Sequence, residues 1–576
     1  MSTYTGYRLD TMVAKNPRSP YYNKSSVFRT YDISKCPIDV SGGMLFISYV
    51  TDDNSYYSYS NSILTSKSLK NLVTEDSYLN MTIISDMSGV IKSIQEFCLY
   101  KHGALTSISL PNCSYIGDYA FYSCTSLATV NLPQCSYIGS YAFESCTALA
   151  SISLPQCTVV SSFAFFNCTA LSSISLPLCK YITEGAFQSC SALTTISLPN
   201  CSYIGDYAFA YCSALQSISI PLCSSLGWAA FLCCTPLTSI YLPQCEYVGM
   251  SAFYSCTSLT SISLPLCSSV CMGAFYNCSA LTSVSLPLCE YIGRYAFYSC
   301  YKVTSIDLPQ CTYVGSSAFY FCTSLTTISL PLCSSVCMGA FYSCTSLTSI
   351  SLPKCSIIGN SAFQGCTALT TISLPLCSSV CGDAFGGCTA LTSIDLPQCE
   401  YVDAGAFGGC SVLASVSLPL CKYISNDAFF NCRRLTSINL PLCSYIGSYA
   451  FDGCTALTSI DLPQCTYVGS SAFYNCSALT SVSLPLCEYI GMSAFRDCKA
   501  LTSINLPQCS YIGSYAFSNC VRLTTIYLGY SSVVELPYIN AFYSTALKSI
   551  YVPSSLLSVY QNNISWRSYS SLLIGM

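Results

Sequence analysis

Cysteine recurs along this chain with a fixed period. Cys113, Cys135, Cys157 and Cys179 stand 22 residues apart, and the series runs to Cys509 without a gap. A second series runs from Cys124 to Cys520 at the same spacing. Each has 19 members, so 38 of the 44 cysteines occupy two positions of one repeated unit. Cys271, Cys337 and Cys381 share a third position that is usually Gly, and Cys36, Cys98 and Cys233 stand apart. A sustained period of 20–50 residues means a stacked array, because one such unit cannot bury its own apolar face.

The unit LTSISLPNCSYIGDYAFYSCTS, residues 105–126, defines the pattern. Leu105 has an equivalent every 22 residues to Leu523, with Val303 the one exception. Ile108 is always Ile or Val, Leu110 always Leu or Ile, and the pair Ala120–Phe121 is invariant over 19 copies. Ile108 and Leu110 are two apart and so share one face of a strand. Pro111 lacks an N–H and ends the ladder there. Ile116, Ala120 and Phe121 are spaced for a short helical or 3₁₀ return with one buried face. The expected fold is an α/β repeat solenoid, with a continuous parallel β-sheet and short helical or 3₁₀ return segments.

The pattern L-x-x-I-x-L-P…I-G-x-x-A-F-x-x-C-x-x-L resembles the BspA-type leucine-rich repeat, over about residues 105–528. The family's usual unit has 23 residues; here one is missing between Pro111 and Ile116. The resemblance implies a leucine-rich repeat protein of bacterial or protist surfaces that binds or adheres rather than catalyses. The tail from Ile550 to Met576 resembles the ends of repeat proteins from gut bacteria and their phages.

Four segments are expected. Residues 1–80 read as a small N-terminal module for attachment or assembly, with a strand at Met44–Val50 and a polar, Tyr-rich loop at Asp52–Ser60. Residues 81–104 read as a degenerate capping coil, in which Ile94, Cys98, Leu99 and His102 stand where Ile116, Ala120, Phe121 and Cys124 do. Residues 105–528 are the tandem repeats, and 529–576 a C-terminal cap whose Leu556, Tyr560 and Trp566 cover the last coil. Ser279–Gly293 is identical to Ser477–Gly491, which points to growth by duplication.

Three roles for the cysteines stand open. Both series can be buried thiols, small apolar groups with a weak donor. In-register cysteines of adjacent coils have Cα atoms within disulfide range, but their parallel Cβ vectors hold the Cβ atoms too far apart for an unstrained bridge. Metal binding favours close pairs such as C-x₂-C, whereas the spacing inside this unit is eleven and no His supports it, so no metal and no cofactor is expected.

Catalysis finds little material. The single histidine, His102, lies in the capping coil, so no Ser-His-Asp or Cys-His arrangement can form. Asp307, Asp395 and Asp461 share a strand position but lie four and three coils apart, too far for an acid/base pair. The chain is not read as an enzyme.

Recognition is better served. Ser107 and its equivalents are Ser or Thr in all 20 copies, and Ser109 is mostly Ser. Asn131, Tyr241, Asp307, Asp395, Asn439, Asp461, Asn505 and Tyr527 break the second row and are the candidate ligand-binding residues. Only 8% of residues are charged, against roughly 25% in ordinary domains. A net charge of −4 gives no footprint for nucleic acid. Such a face suits a host glycan or a surface protein. The alternative is a structural spacer or a phage tail or shell component held by residues 1–80, through which a homo-oligomer or particle would assemble. No apolar run is long enough for a membrane span, and Met1–Pro20 has no Sec-type apolar stretch. A cell surface or a virion is the expected setting, with the cytoplasm left open.

Overall fold

The computed structural model describes residues 81–86, 89, 91–529, 531–538 and 540–576 in full, and the backbone of 38–41, 44–47 and 63–64. The Asp52–Ser60 loop, Cys36 and most of the 1–80 module lie outside the described residues. The chain divides into two units, Met1–Leu281 and Thr282–Met576.

In the first unit each coil contributes a three-residue strand, such as Ser107–Ser109 and Thr129–Asn131. Neighbouring strands pair in parallel with the 22-residue register, Ile108 opposite Val130 and Ser109 opposite Asn131. The outer residues are exposed and the central one is buried, as side-chain alternation requires. A second, two-residue strand follows the Pro turn. Tyr115–Ile116 pairs with Tyr137–Ile138, which pairs with Val159–Val160. Upstream, Ile83–Asp86 pairs with Ser107–Ser109, and Met44–Ile47 lies parallel to Ile83–Asp86 and antiparallel to Ile38–Ser41.

The return segment keeps the i→i−3 bonds of a 3₁₀ turn but not a continuous helix. The N–H groups of Ala120, Tyr122 and Cys124 donate to the carbonyls of Gly117, Tyr119 and Phe121. Those of Tyr119, Phe121 and Ser123 instead donate to Ser140, Ala142 and Glu144 in the next coil, at 2.9, 2.7 and 2.7 Å. Tyr119 and Ser123 have φ of 56° and 55°. A left-handed residue every fourth position turns alternate N–H groups outward. The inter-coil bonds offset the roughly 1–2 kcal/mol that a non-Gly residue pays there. Helix propagation is thus exchanged for a further hydrogen-bonded ladder. The coil expected to cap the array is built alike: Phe97, Leu99 and Lys101 donate to Asp118, Ala120 and Tyr122, and His102 is buried. The array continues upstream of it, where Ile63–Leu64 pairs in parallel with Ser93–Ile94.

The core of each coil is Leu105, Ile108, Leu110, Cys113, Ile116, Ala120, Phe121 and Cys124, all inaccessible to solvent. The Phe rings stack from coil to coil, with Phe121 and Phe143 4.8 Å apart and Phe143 and Phe165 5.2 Å apart. The described cysteines are free thiols, and the two series donate differently. Cys135 Sγ donates within its coil to the Tyr137 carbonyl at 3.3 Å. Cys146 Sγ donates across coils to the Phe121 carbonyl at 3.2 Å. A thiol suits both places, being apolar enough for the core while still covering a buried carbonyl. Burial pushes the Cys113 and Cys168 thiols up to about 12.

The second unit repeats the architecture, with Ser305–Asp307 paired to Thr327–Ser329 and Tyr445–Ile446 to Tyr467–Val468. Its end closes with the 3₁₀ turn Ser554–Leu556, the helix Leu557–Asn562, the 3₁₀ turn Arg567–Leu572 and the strand Leu573–Gly575. Trp566 and Tyr560 are fully buried. Trp566 Nε1 donates to the Val534 carbonyl, and the Val534 N–H donates to the Tyr560 hydroxyl, both at 2.9 Å. The two rings therefore bury the end of the core and satisfy both backbone groups of Val534.

Candidate ligand-facing sheet

Most coils begin with hydroxyl residues at the positions of Thr106, Ser107 and Ser109, and these positions divide the work. The first is structural. In the second unit Thr326 Oγ1 donates to the Thr304 carbonyl at 2.9 Å, Thr370 to Thr348 at 3.0 Å, and Thr480 to Thr458 at 2.9 Å. In the first unit Thr106 donates likewise to Thr82 at 2.8 Å. The positions of Ser107 and Ser109 point outward on the strand, so parallel pairing lines them up in rows on each unit's sheet.

All eight residues expected on the outer row are exposed. In the first unit, Asn131 Nδ2 donates to Ser109 Oγ at 2.9 Å. Tyr241 sits beside Ser219 with 63% of its surface exposed, and five coils separate it from Asn131. In the second unit Asp307 stands beside Ser329, with no other candidate adjacent. Asp395 and Asn439 flank Ser417. Asp461, Asn505 and Tyr527 fall on one row, read across neighbouring strands as Asp461, Ser483, Asn505 and Tyr527.

That last row continues to a residue the repeat pattern did not single out. Tyr527 pairs with Tyr551 on Ser549–Val552, and their rings stack at 4.8 Å with planes 9° apart. The signal was present, since SIYVP at Ser549–Pro553 echoes SIYLP at Ser239–Pro243. The step from Tyr527 to Tyr551 is 24 residues rather than 22, which takes it out of register. The row thus offers a carboxylate, a hydroxyl, an amide and a two-ring aromatic platform on neighbouring strands. Such a set can hydrogen-bond a polar ligand and pack against its apolar face.

Among the described residues no group of three His, Cys, Asp or Glu side chains is placed to hold a metal ion. Among them, too, no helix is long and apolar enough to cross a membrane.

The BspA type leucine rich repeat region matches six times, over residues 92–201, 136–257, 180–287, 246–353, 334–458 and 444–570. No curated protein matches. Among solved structures, a leucine-rich repeat protein from Bacteroides ovatus is 22% identical, covering 77% of this chain and 88% of its own, with a TM-score of 0.26. A leucine rich cell surface protein from Faecalibacterium prausnitzii is 21% identical, covering 68% of this chain and 83% of its own, with a TM-score of 0.22. The chain belongs to the BspA-type leucine-rich repeat family.

Proposed function

We propose that the protein is a non-enzymatic binding or adhesion protein that presents its outer strand rows to a glycan or a surface protein. The observation that carries this reading is the Tyr527–Tyr551 stack beside exposed Asn505. Two parallel, stacked rings offer apolar edges and their outward-turned faces at low cost in side-chain entropy, and the neighbouring amide, hydroxyl and carboxylate supply directional contacts. Tyr241 in the first unit is a second, separate anchor. The ligand is polar and nearly neutral, matching a sheet face whose other row, that of Ser107, is Ser or Thr in all 20 copies. The natural setting for such a surface is the outside of a cell.

The test uses the full chain on a glycan array and on immobilised mucin, alongside Tyr527→Ala/Tyr551→Ala and Tyr241→Ala proteins. Binding that falls at least tenfold in the double variant, and is abolished by periodate oxidation of the mucin, supports glycan recognition by this row. Binding that survives periodate but falls in the variant assigns the row to a protein ligand. Binding unaffected by both sets of substitutions removes the strand row from recognition.

A spacer role is the second reading, favoured by the identity of Ser279–Gly293 and Ser477–Gly491. Deleting three internal coils from the second unit should then leave attachment intact, whereas a recognition surface spread over those coils loses affinity.

A further inference from the structure

On the return segments of the second unit, the residues equivalent to Tyr122 form an outward-facing column. Tyr298, Tyr320 and Tyr342 lead it, their rings stacked at 4.9 and 4.4 Å. The column then reads Gln364, Gly386, Gly408 and Phe430. Two consecutive coils therefore lack a side chain between Gln364 on one side and the Phe430 ring on the other. The result is a groove of about 510 Å³. Gln364 closes one end and Phe430 the other, three coil steps or about 14 Å apart.

The chemistry of the groove is one-sided. The N–H groups on its floor are spent: those of Gly386 and Gly408 donate to the Asp383 and Gly405 carbonyls at 2.9 and 2.8 Å, and those of Gly387 and Gly409 to the next coil. Its wall carries two carboxylates, Asp383 and Asp427, two coils apart. Gly405 lies between them with φ of 65°, and a Cβ there would come within 2.3 Å of Asp383 Oδ1. The Asp383 carboxylate thus leans over Gly405, in the direction of Asp427, into space that only a glycine leaves free. Burial raises the Asp427 carboxyl, and repulsion from Asp383 adds to the rise. Among the described residues the ion pairs are Lys422 with Glu400 and Arg496 and Lys499 with Asp497, so neither groove acid is paired with a cation.

The same face shows what completes such a setting. Arg496 occupies the column of Gly386 and Gly408. Its guanidinium lies 5.8 and 5.7 Å from the rings of Tyr474 and Tyr515, and Nε is 3.6 Å from the Asp497 carboxylate. Ring, carboxylate and guanidinium stand together there, whereas the groove has the ring and two carboxylates alone.

We propose that this groove is a docking site for an arginine side chain of a partner protein, its guanidinium against Phe430 and between Asp383 and Asp427. A planar guanidinium satisfies a ring face and carboxylates together, which a lysine ammonium does less well. An anion is excluded by the carboxylates and the spent floor donors. The site is separate from the strand rows and does not depend on them.

The experiment measures fluorescence anisotropy of a fluorescein-labelled triarginine peptide against the full chain, with trilysine and trialanine as comparators. Gly386→Tyr/Gly408→Tyr fills the groove with the residue that Tyr298, Tyr320 and Tyr342 place in that column. Asp383→Asn/Asp427→Asn removes the charge with little change of shape, so the test stands even if the filled variant folds poorly. Saturable triarginine binding, at least tenfold tighter than trilysine, is expected. It should weaken at least tenfold in the Asn variant and be unchanged in Tyr527→Ala. Absence of saturable binding, equal affinity for trilysine, or binding that survives the Asn substitutions overturns the proposal.

Discussion

The ring of Phe319 lies 5.3 Å from that of Phe341 with the planes 3° apart, and on its other side Phe297 repeats the arrangement at 5.3 Å and 2°. Each ring is thus the packing partner of the coil before and the coil after. In a globular core the loss of one ring is shared by many neighbours. In a stack it falls on two.

Phe319→Ala should therefore cost about 3–5 kcal/mol, concentrated in its own coil and the two beside it, because coils of a solenoid touch only their neighbours. Hydrogen exchange read by mass spectrometry on peptic peptides checks this. Protection should fall in peptides spanning 297–341 and persist in those around 451–517. A uniform loss along the second unit would mean that the unit unfolds as one block and would contradict nearest-neighbour packing.

The thiols make a second prediction. Cys322 and Cys344 donate to the Phe297 and Phe319 carbonyls at 3.1 Å, and burial pushes Cys322 up to about 12. Reaction with an aromatic disulfide reagent requires the thiolate and access to it, and both ladders lack both. Cys233, Cys271, Cys337 and Cys381 are the described thiols that are not fully buried. They should react first at pH 8 in native protein, with the ladders silent. In guanidinium without reductant nearly all 44 cysteines should then titrate. A small total after unfolding would show that the ladders are bridged.

How much of this was legible in the sequence depends on the kind of signal each residue carries. Ile108 and Leu110 inside, with Ser107 and Ser109 outside, follow from two-residue alternation repeated through the array. The Tyr115–Ile116 strand did not announce itself, since two residues carry no periodicity. The left-handed turns were hidden for another reason. The position of Tyr119 also holds Phe163, Ser251, Asp383 and Gly405, so no residue type marks a conformation that the inter-coil hydrogen bonds impose. Tyr551 was lost to a two-residue shift of register. The groove was present as Gly386 and Gly408, but a missing side chain means something only once its column is known to face outward. The eight outer-row residues were identified from the strand pattern, and what pairing adds is which of them share a row.

Asp452 makes the third prediction. It occupies the column after Phe430, and burial together with repulsion from Asp427 pushes its carboxyl up to about 6, against roughly 3.9 in an unfolded chain. Between those values the native protein holds a proton that the unfolded chain has released. Stability from this group is therefore complete below about pH 4, falls as the pH rises towards 6, and is level above that. Asp452→Asn removes the titration without changing the size of the side chain. The urea midpoint of the variant should match the parent near pH 4, exceed it increasingly up to pH 6, and stay above it by a constant margin at pH 7 and 8. Asp452 is partly open to solvent, so the margin is modest, below about 1 kcal/mol once screening is allowed for. A difference between variant and parent that is the same at every pH would assign the effect to packing and remove the carboxylate from the account.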